Sequence, residues 1–268
     1  MADSKINSLN YNGLSEKTGL VRIAPAFLAL LLASAAAPAA DGPSLEAAAN
    51  DVDNVQSLQR GARNFMNYCS GCHSARYVRF NTIARGLGVT EDQVINNLMF
   101  NADKTFETIE SSMRAEDARR WFGQAPPDVS LIARAKSTDY VYNYLKSFYV
   151  DPDSPTGVDN RSLAGTAMPH VLWELQGYQK ANFREEPIPG QDDGASRLVF
   201  DSFEQMTVGT MGAQEFGGFV RDTANFLEYI AQPERSTRRK LGVWVLIFLT
   251  FFLIVAQMLK KQIWKDVN

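Results

Sequence analysis

VQSLQRGARNFMNYCSGCH, residues 55–73, carries two signals in succession. Val55, Leu58, Ala62, Phe65, Met66 and Cys69 recur at three- and four-residue steps, the period of an amphipathic helix with one apolar stripe. That helix runs into Cys69-Ser70-Gly71-Cys72-His73, which holds both cysteines of the chain and one of its two histidines. C-x-x-C-H is the attachment pattern of a covalent c-type haem. Cysteines three apart on a helical turn project to one side and can each add to a haem vinyl group, while the adjoining imidazole reaches the iron as fifth ligand. Competing uses fit less well. A redox C-x-x-C pair wants a strand before it rather than a helix. Structural zinc needs more Cys and His than this chain provides. A disulfide across three residues closes too small a loop to stabilise much. One motif implies one haem.

The 268 residues are 45% hydrophobic and 21% charged, ordinary globular usage that excludes a disordered or collagen-like chain. The formal net charge of −3 hides an asymmetry: residues 41–234 hold 17 Lys/Arg against 27 Asp/Glu, which is −10. A nucleic-acid partner is excluded on that ground, because neutralising phosphates needs a basic face. Residues 1–40 read as an N-terminal extension and signal peptide, since IAPAFLALLLASAAAPAA (23–40) is apolar, short for a bilayer, and closes on small residues suited to cleavage. Residues 241–259, LGVWVLIFLTFFLIVAQML, carry no formal charge. At about 1.5 Å per residue they reach nearly the ~30 Å of bilayer hydrocarbon, so they are expected to span it. Trp244 and Trp264 lie near the two ends of that run, where aromatic belts form. Basic residues flank it on both sides, at 235–240 and at 260–268, so charge alone does not orient it. Export does: a signal peptide places the domain of residues 41–234 in the bacterial periplasm and residues 260–268 in the cytoplasm, with the collar 235–240 between domain and inner membrane.

Between these ends the expected class is mainly α, a domain with long irregular loops around one haem plus one C-terminal transmembrane helix. Helices are expected at Thr90–Met113, from Asp128 or Ser130 through Lys136 after the break at Pro126 and Pro127, and at Asp139–Phe148. Residues 158–200 show no sustained period, and EEPIPGQDDGAS (185–196) reads as an exposed acidic loop. No strong run of paired strands is evident. A last helix, about Ala213–Ala231, turns Phe216, Phe219, Val220, Phe226, Leu227 and Ile230 inward and stops before Pro233.

The sixth iron position has three solutions: a methionine thioether, His170, or an open site. Met66, Met99 and Met113 fall on expected helices and suit core filling, while Met206 and Met211 lie in a loop. Thr166-Ala167-Met168-Pro169 is a non-helical approach of small residues closed by a proline, which suits delivery of a long soft side chain. Chemistry favours Met168 over His170, because Met/His ligation raises the reduction potential for electron transfer.

The order CSGCH, APPDVSLIARAK (125–136), DYVYNYL (139–145), PTGV (155–158) and AMPH (167–170), closed by a tail span, resembles the cytochrome c1 family, the haem subunit of ubiquinol:cytochrome c reductase. The resemblance runs from about residue 50 to 265. It implies that Cys69 and Cys72 hold haem c, that His73 is the proximal and Met168 the distal ligand, and that Pro127 packs near the haem edge. Lys136 stands where the family often has an arginine facing a haem propionate; lysine keeps the charge and loses the bidentate fork, and Arg134 can share that role. The cysteines that some lineages add are absent, so no disulfide is expected. The implied partners are the cytochrome b subunit, the Rieske iron-sulfur subunit, a soluble or tethered c-type cytochrome acceptor, and the lipid bilayer. The implied function is one-electron transfer from the Rieske subunit to a periplasmic cytochrome c, with no bond broken on this chain. A membrane-tethered carrier feeding a terminal oxidase, and a haem gas sensor or peroxidase with an open distal site, are the competing readings.

Overall fold

A computed structural model describes residues 45–187 and 196–266. The expected extension and signal peptide lie outside these residues, as does most of the expected acidic loop. Helix α1 (Val55–Tyr68) starts where the Asn54 side chain accepts a hydrogen bond from Ser57 N, 3.1 Å, one of the orphan donors of a first turn. Its inner face, Leu58, Ala62, Phe65 and Met66, is buried as the period requires. A short pair of strands follows, β1 (Ala75–Arg79) with β2 (Thr108–Ile109), enclosing α2 (Phe80–Leu87) and α3 (Glu91–Asn97). The chain continues through α4 (Ala115–Phe122), α5 (Ile132–Lys136) and α6 (Thr138–Lys146). Strands β3 (Phe148–Val150) and β4 (Val158–Asn160) form a small hairpin, then come α7 (Trp173–Gln176) and the longer hairpin β5 (Gln179–Pro187) with β6 (Ser196–Gln205).

Helix α8 (Ala213–Ala231) has the expected bounds and lies along α1, with Phe216, Val220, Phe226, Leu227 and Ile230 buried. Phe65 and Phe226 meet at 5.8 Å between ring centroids. Burying two such rings contributes ~3–6 kcal/mol by area. The polar side of the same contact is satisfied internally: Asn64 donates to the Thr223 hydroxyl at 3.2 Å, and Asn225 to the Ser57 hydroxyl at 2.9 Å. Helix α9 (Arg235–Ile263) follows after one break at Pro233, and none of its residues is buried. It is long and apolar enough to cross a membrane. The collar 235–240 forms its first turns.

Three expectations need correction. The helix expected over Thr90–Met113 ends at Asn97, and the rest is loop and strand β2. Thr90 does start it, with a capping box closed by Gln93, but only Val94 is buried on it, so packing does not extend the helix. Met99 and Met113 are therefore not helical. The expected absence of paired strands is also wrong, since β5 and β6 pair antiparallel from Gln179↔Gln205 to Pro187↔Ser196, with an irregularity after Asn182. Finally, Asp128 and Ser130 do not begin α5, because their side chains are engaged elsewhere.

Candidate haem site

The last turn of α1 continues into the cysteine motif. Cys69 N and Ser70 N both donate to Phe65 O, and the Ser70 hydroxyl donates to Met66 O at 2.8 Å. Cys72 N and His73 N then both donate to Cys69 O, at 3.0 and 2.8 Å. One tight turn thus carries both thiols and the imidazole, and both thiols are free. Cys69 keeps some surface but is closely surrounded by protein atoms; this burial, with Cys72 beside it, pushes its thiol up to about 12. Burial raises Cys72 too.

His73 Nδ1 lies 2.8 Å from the carbonyl oxygen of Pro127. A carbonyl only accepts, so Nδ1 carries the proton and Nε2 is left with its lone pair. Burial lowers the His73 pKa, against smaller raising effects of the Pro127 carbonyl and the Asp128 charge, so the ring favours the neutral, ligating form. The segment that brings Pro127 there is fastened to the chain just after His73. Asp128 accepts from Arg76 N and from Ser130 N, each at 2.9 Å, Val129 N donates to Ser74 O at 2.9 Å, and Tyr77 N donates to the Ser130 hydroxyl at 3.1 Å. Pro127 itself is exposed. Its carbonyl, rather than its ring, makes the contact.

Met168 is partly buried against the core, and its Sδ lies 3.6 Å from the Tyr144 hydroxyl. His170, two residues on, is 5% exposed and stacks on Phe148, with centroids 5.1 Å apart and planes 7° from parallel. Neither of its ring nitrogens has a hydrogen-bond partner among the described residues. Burial takes its pKa down to about 4, slightly offset by the Gly177 backbone, which stands outside good hydrogen-bond geometry. His170 is packed as a neutral aromatic.

Arg134 and Lys136 line a cavity of about 1010 Å³ together with Asp51, Glu228, Arg235 and Arg239. Cys69, Cys72, His73 and Met168 are not part of that lining. Lys136 Nζ lies 5.9 Å from the Tyr140 ring, which stacks on Tyr144 at 6.1 Å, so two rings link Lys136 to the Met168 side. Arg134 has no comparable link among the described residues. Sequence reasoning named Asp128 only as a helix start and Thr166 only as part of the approach to Met168, and it missed the Pro127 carbonyl and Tyr144. The Pro-Pro-Asp run was the available signal for the Pro127 carbonyl and for Asp128, because the run leaves carbonyls without matching N–H donors and ends on a side chain suited to an Asx turn.

Two thiols on one turn can each add to a porphyrin vinyl group, while an imidazole oriented through its far nitrogen and a thioether are neutral donors that suit the iron it carries. They do not form a site for a bare ion: among the described residues no group of three or more His, Cys, Asp or Glu is placed to hold one. The model of the Cytochrome C1 family matches residues 46–267. A cytochrome c1 of Allochromatium vinosum is 42% identical over 239 residues, 89% of this chain and 96% of that protein. An ammonia monooxygenase gamma subunit of Nitrosomonas europaea is 39% identical, over 84% of this chain and 89% of its own length. The mitochondrial cytochrome c1 haem protein of Saccharomyces cerevisiae is 26% identical over 79% of this chain and 67% of that protein.

Proposed function

The chain belongs to the cytochrome c1 family, and on that premise we propose which residues hold its haem and how its electron travels. Members carry one covalent haem c and act in electron transfer as membrane-anchored subunits of the bc1 complex, beside the cytochrome b and Rieske subunits. When bound, the haem supplies a one-electron ferric/ferrous couple.

Cys69 and Cys72 would hold the haem through thioether links, and His73 Nε2 and the Met168 thioether would ligate its iron. The His73 hydrogen bond to Pro127 O supports this, because it fixes tautomer and ring orientation before any iron is present. That bond carries the reading. Both donor side chains are neutral, which would favour ferrous over ferric iron and suit a high-potential acceptor. Lys136 is the residue offered to a propionate, with Arg134 further off. Pro127 lines the exposed edge. The chain accepts one electron from the Rieske iron-sulfur subunit and passes one to a soluble or tethered c-type cytochrome, with no proton exchanged on its own side chains. Residues 1–40 are removed as a signal peptide, the domain 41–234 faces the periplasm, 241–259 crosses the inner membrane, and 260–268 lie in the cytoplasm.

The test is a redox-resolved absorption spectrum of the purified complex, with its subunit list and the intact mass of this chain. A low-spin c-type spectrum, a mass heavier by one haem, and co-purifying cytochrome b and Rieske subunits are expected. A colourless chain of purely amino-acid mass would overturn the assignment, and isolation with a terminal oxidase in place of cytochrome b would favour the tethered-carrier reading.

A further inference from the structure

The segment that delivers Met168 is held from two sides. The Asp159 carboxylate, in a residue 9% exposed, accepts from Asn160 N and Gly165 N at 2.8 Å and from Thr166 N at 3.2 Å. Three amide donors satisfy a charge that would otherwise be costly to bury. On the other side stands Tyr144. Its hydroxyl lies 2.7 Å from the Thr166 hydroxyl and 3.6 Å from Met168 Sδ. The Tyr144 ring is fixed by a stack on Tyr140 and an edge contact with Phe148, centroids 5.2 Å apart, and its carbonyl accepts from Asn160 Nδ2 at 2.8 Å.

A phenol has one proton to give, and a thioether only accepts. Donation to sulfur therefore requires the threonine hydroxyl to donate to the Tyr144 oxygen, and the two hydroxyls are close enough for that. We propose that Tyr144 is a positioning residue for the distal ligand: its hydroxyl donates to one lone pair of Met168 Sδ, holding the thioether in place and drawing electron density from it while the other lone pair serves the iron. The inference rests on Met168 being that ligand. A sulfur that donates less stabilises ferric iron less, so the hydrogen bond raises the reduction potential.

The experiment is Tyr144→Phe in the intact membrane complex, which keeps the ring packing and deletes the hydroxyl, with Met168→Leu as the parallel variant. A typical neutral hydrogen bond predicts that the equilibrium constant for reduction falls about fivefold, ~40 mV for one electron. The thioether-to-iron absorption band should weaken and carbon monoxide should bind more readily. Met168→Leu should abolish the band outright. If the band survives Met168→Leu, the ligand assignment itself fails. If Met168→Leu abolishes it yet Tyr144→Phe leaves potential, band and carbon monoxide binding as in the parent, the inference about Tyr144 fails alone. Should Tyr144→Phe not assemble, Tyr144→Leu reads the same donor: a lowered potential supports it and an unchanged one overturns it.

Discussion

Ser137 holds a backbone conformation that L side chains rarely adopt, φ 86 and ψ 155, at the junction between α5 and α6. Such a conformation costs ~1–3 kcal/mol for a non-glycine residue. The serine returns part of this by accepting from Tyr140 N at 3.1 Å, capping α6. Glycine at a cap loses only a few tenths of a kcal/mol against serine, and its extra freedom in the unfolded chain costs ~0.5–1 kcal/mol. Ser137→Gly is therefore expected to stabilise the domain by about 1 kcal/mol, raising the thermal midpoint ~2–4 °C. A lowered midpoint would mean that the cap outweighs the strain. At this scale the sequence was readable where chemistry is local. Cys69, Cys72 and His73 declare themselves within five residues, and the proline after Met168 marks a shaped loop. Tyr144 was not readable, because it contacts a sulfur 24 residues away and in the sequence is one aromatic among three in YVYNY.

Gly61 is where two elements approach most closely. A β-carbon there would collide with the Asp222 carbonyl and with Phe226 Cβ on α8, so α1 and α8 can cross at this distance only because residue 61 has no side chain. Gly61→Ala must push apart the two helices that carry Phe65 and Phe226, at a cost of ~2 kcal/mol or more by overpacking. Arg63→Ala, on the exposed face of α1, should leave stability within ~0.5 kcal/mol. Thermal melts of the two variants side by side check this, and equal midpoints would contradict the close contact. The helices with an apolar period were legible because burial enforces that period, and α8 matched to both ends for that reason. The β5–β6 hairpin was not. Most of its residues are exposed, so neither strand needs a strict alternation, and Phe183, Phe200 and Phe203 cluster across the pair rather than along one strand.

On the scale of the whole molecule, two solvents divide the chain. The buried core runs from Ala48 to Ile230, with every cluster member before α9. Helix α9 instead presents Leu246, Phe248, Phe252 and Leu253 outward, all more than half exposed, a surface suited to lipid or to neighbouring spans rather than to this domain. The division was legible because an uncharged run of nineteen residues has few other uses in a water-soluble fold. What hydropathy did not reveal is that the basic collar is helical and tied back to the domain, through the Arg235–Glu228 ion pair and a 3.2 Å hydrogen bond from the Ser236 hydroxyl to Asp53. Truncation just before Leu241 keeps both ties and removes no core residue. The shortened chain should therefore fold and acquire its haem, and it should leave the membrane fraction as a soluble red protein. Its spectrum should match the parent's, and its thermal midpoint should fall no more than a few degrees, since the deleted residues bury nothing in the domain. Fractionation followed by an absorption spectrum decides the matter. A red protein that stayed with the membrane would mean that partner subunits or the amino-terminal segment hold it there, and a colourless aggregate would mean that the span contributes to folding in a way its exposed surface does not suggest.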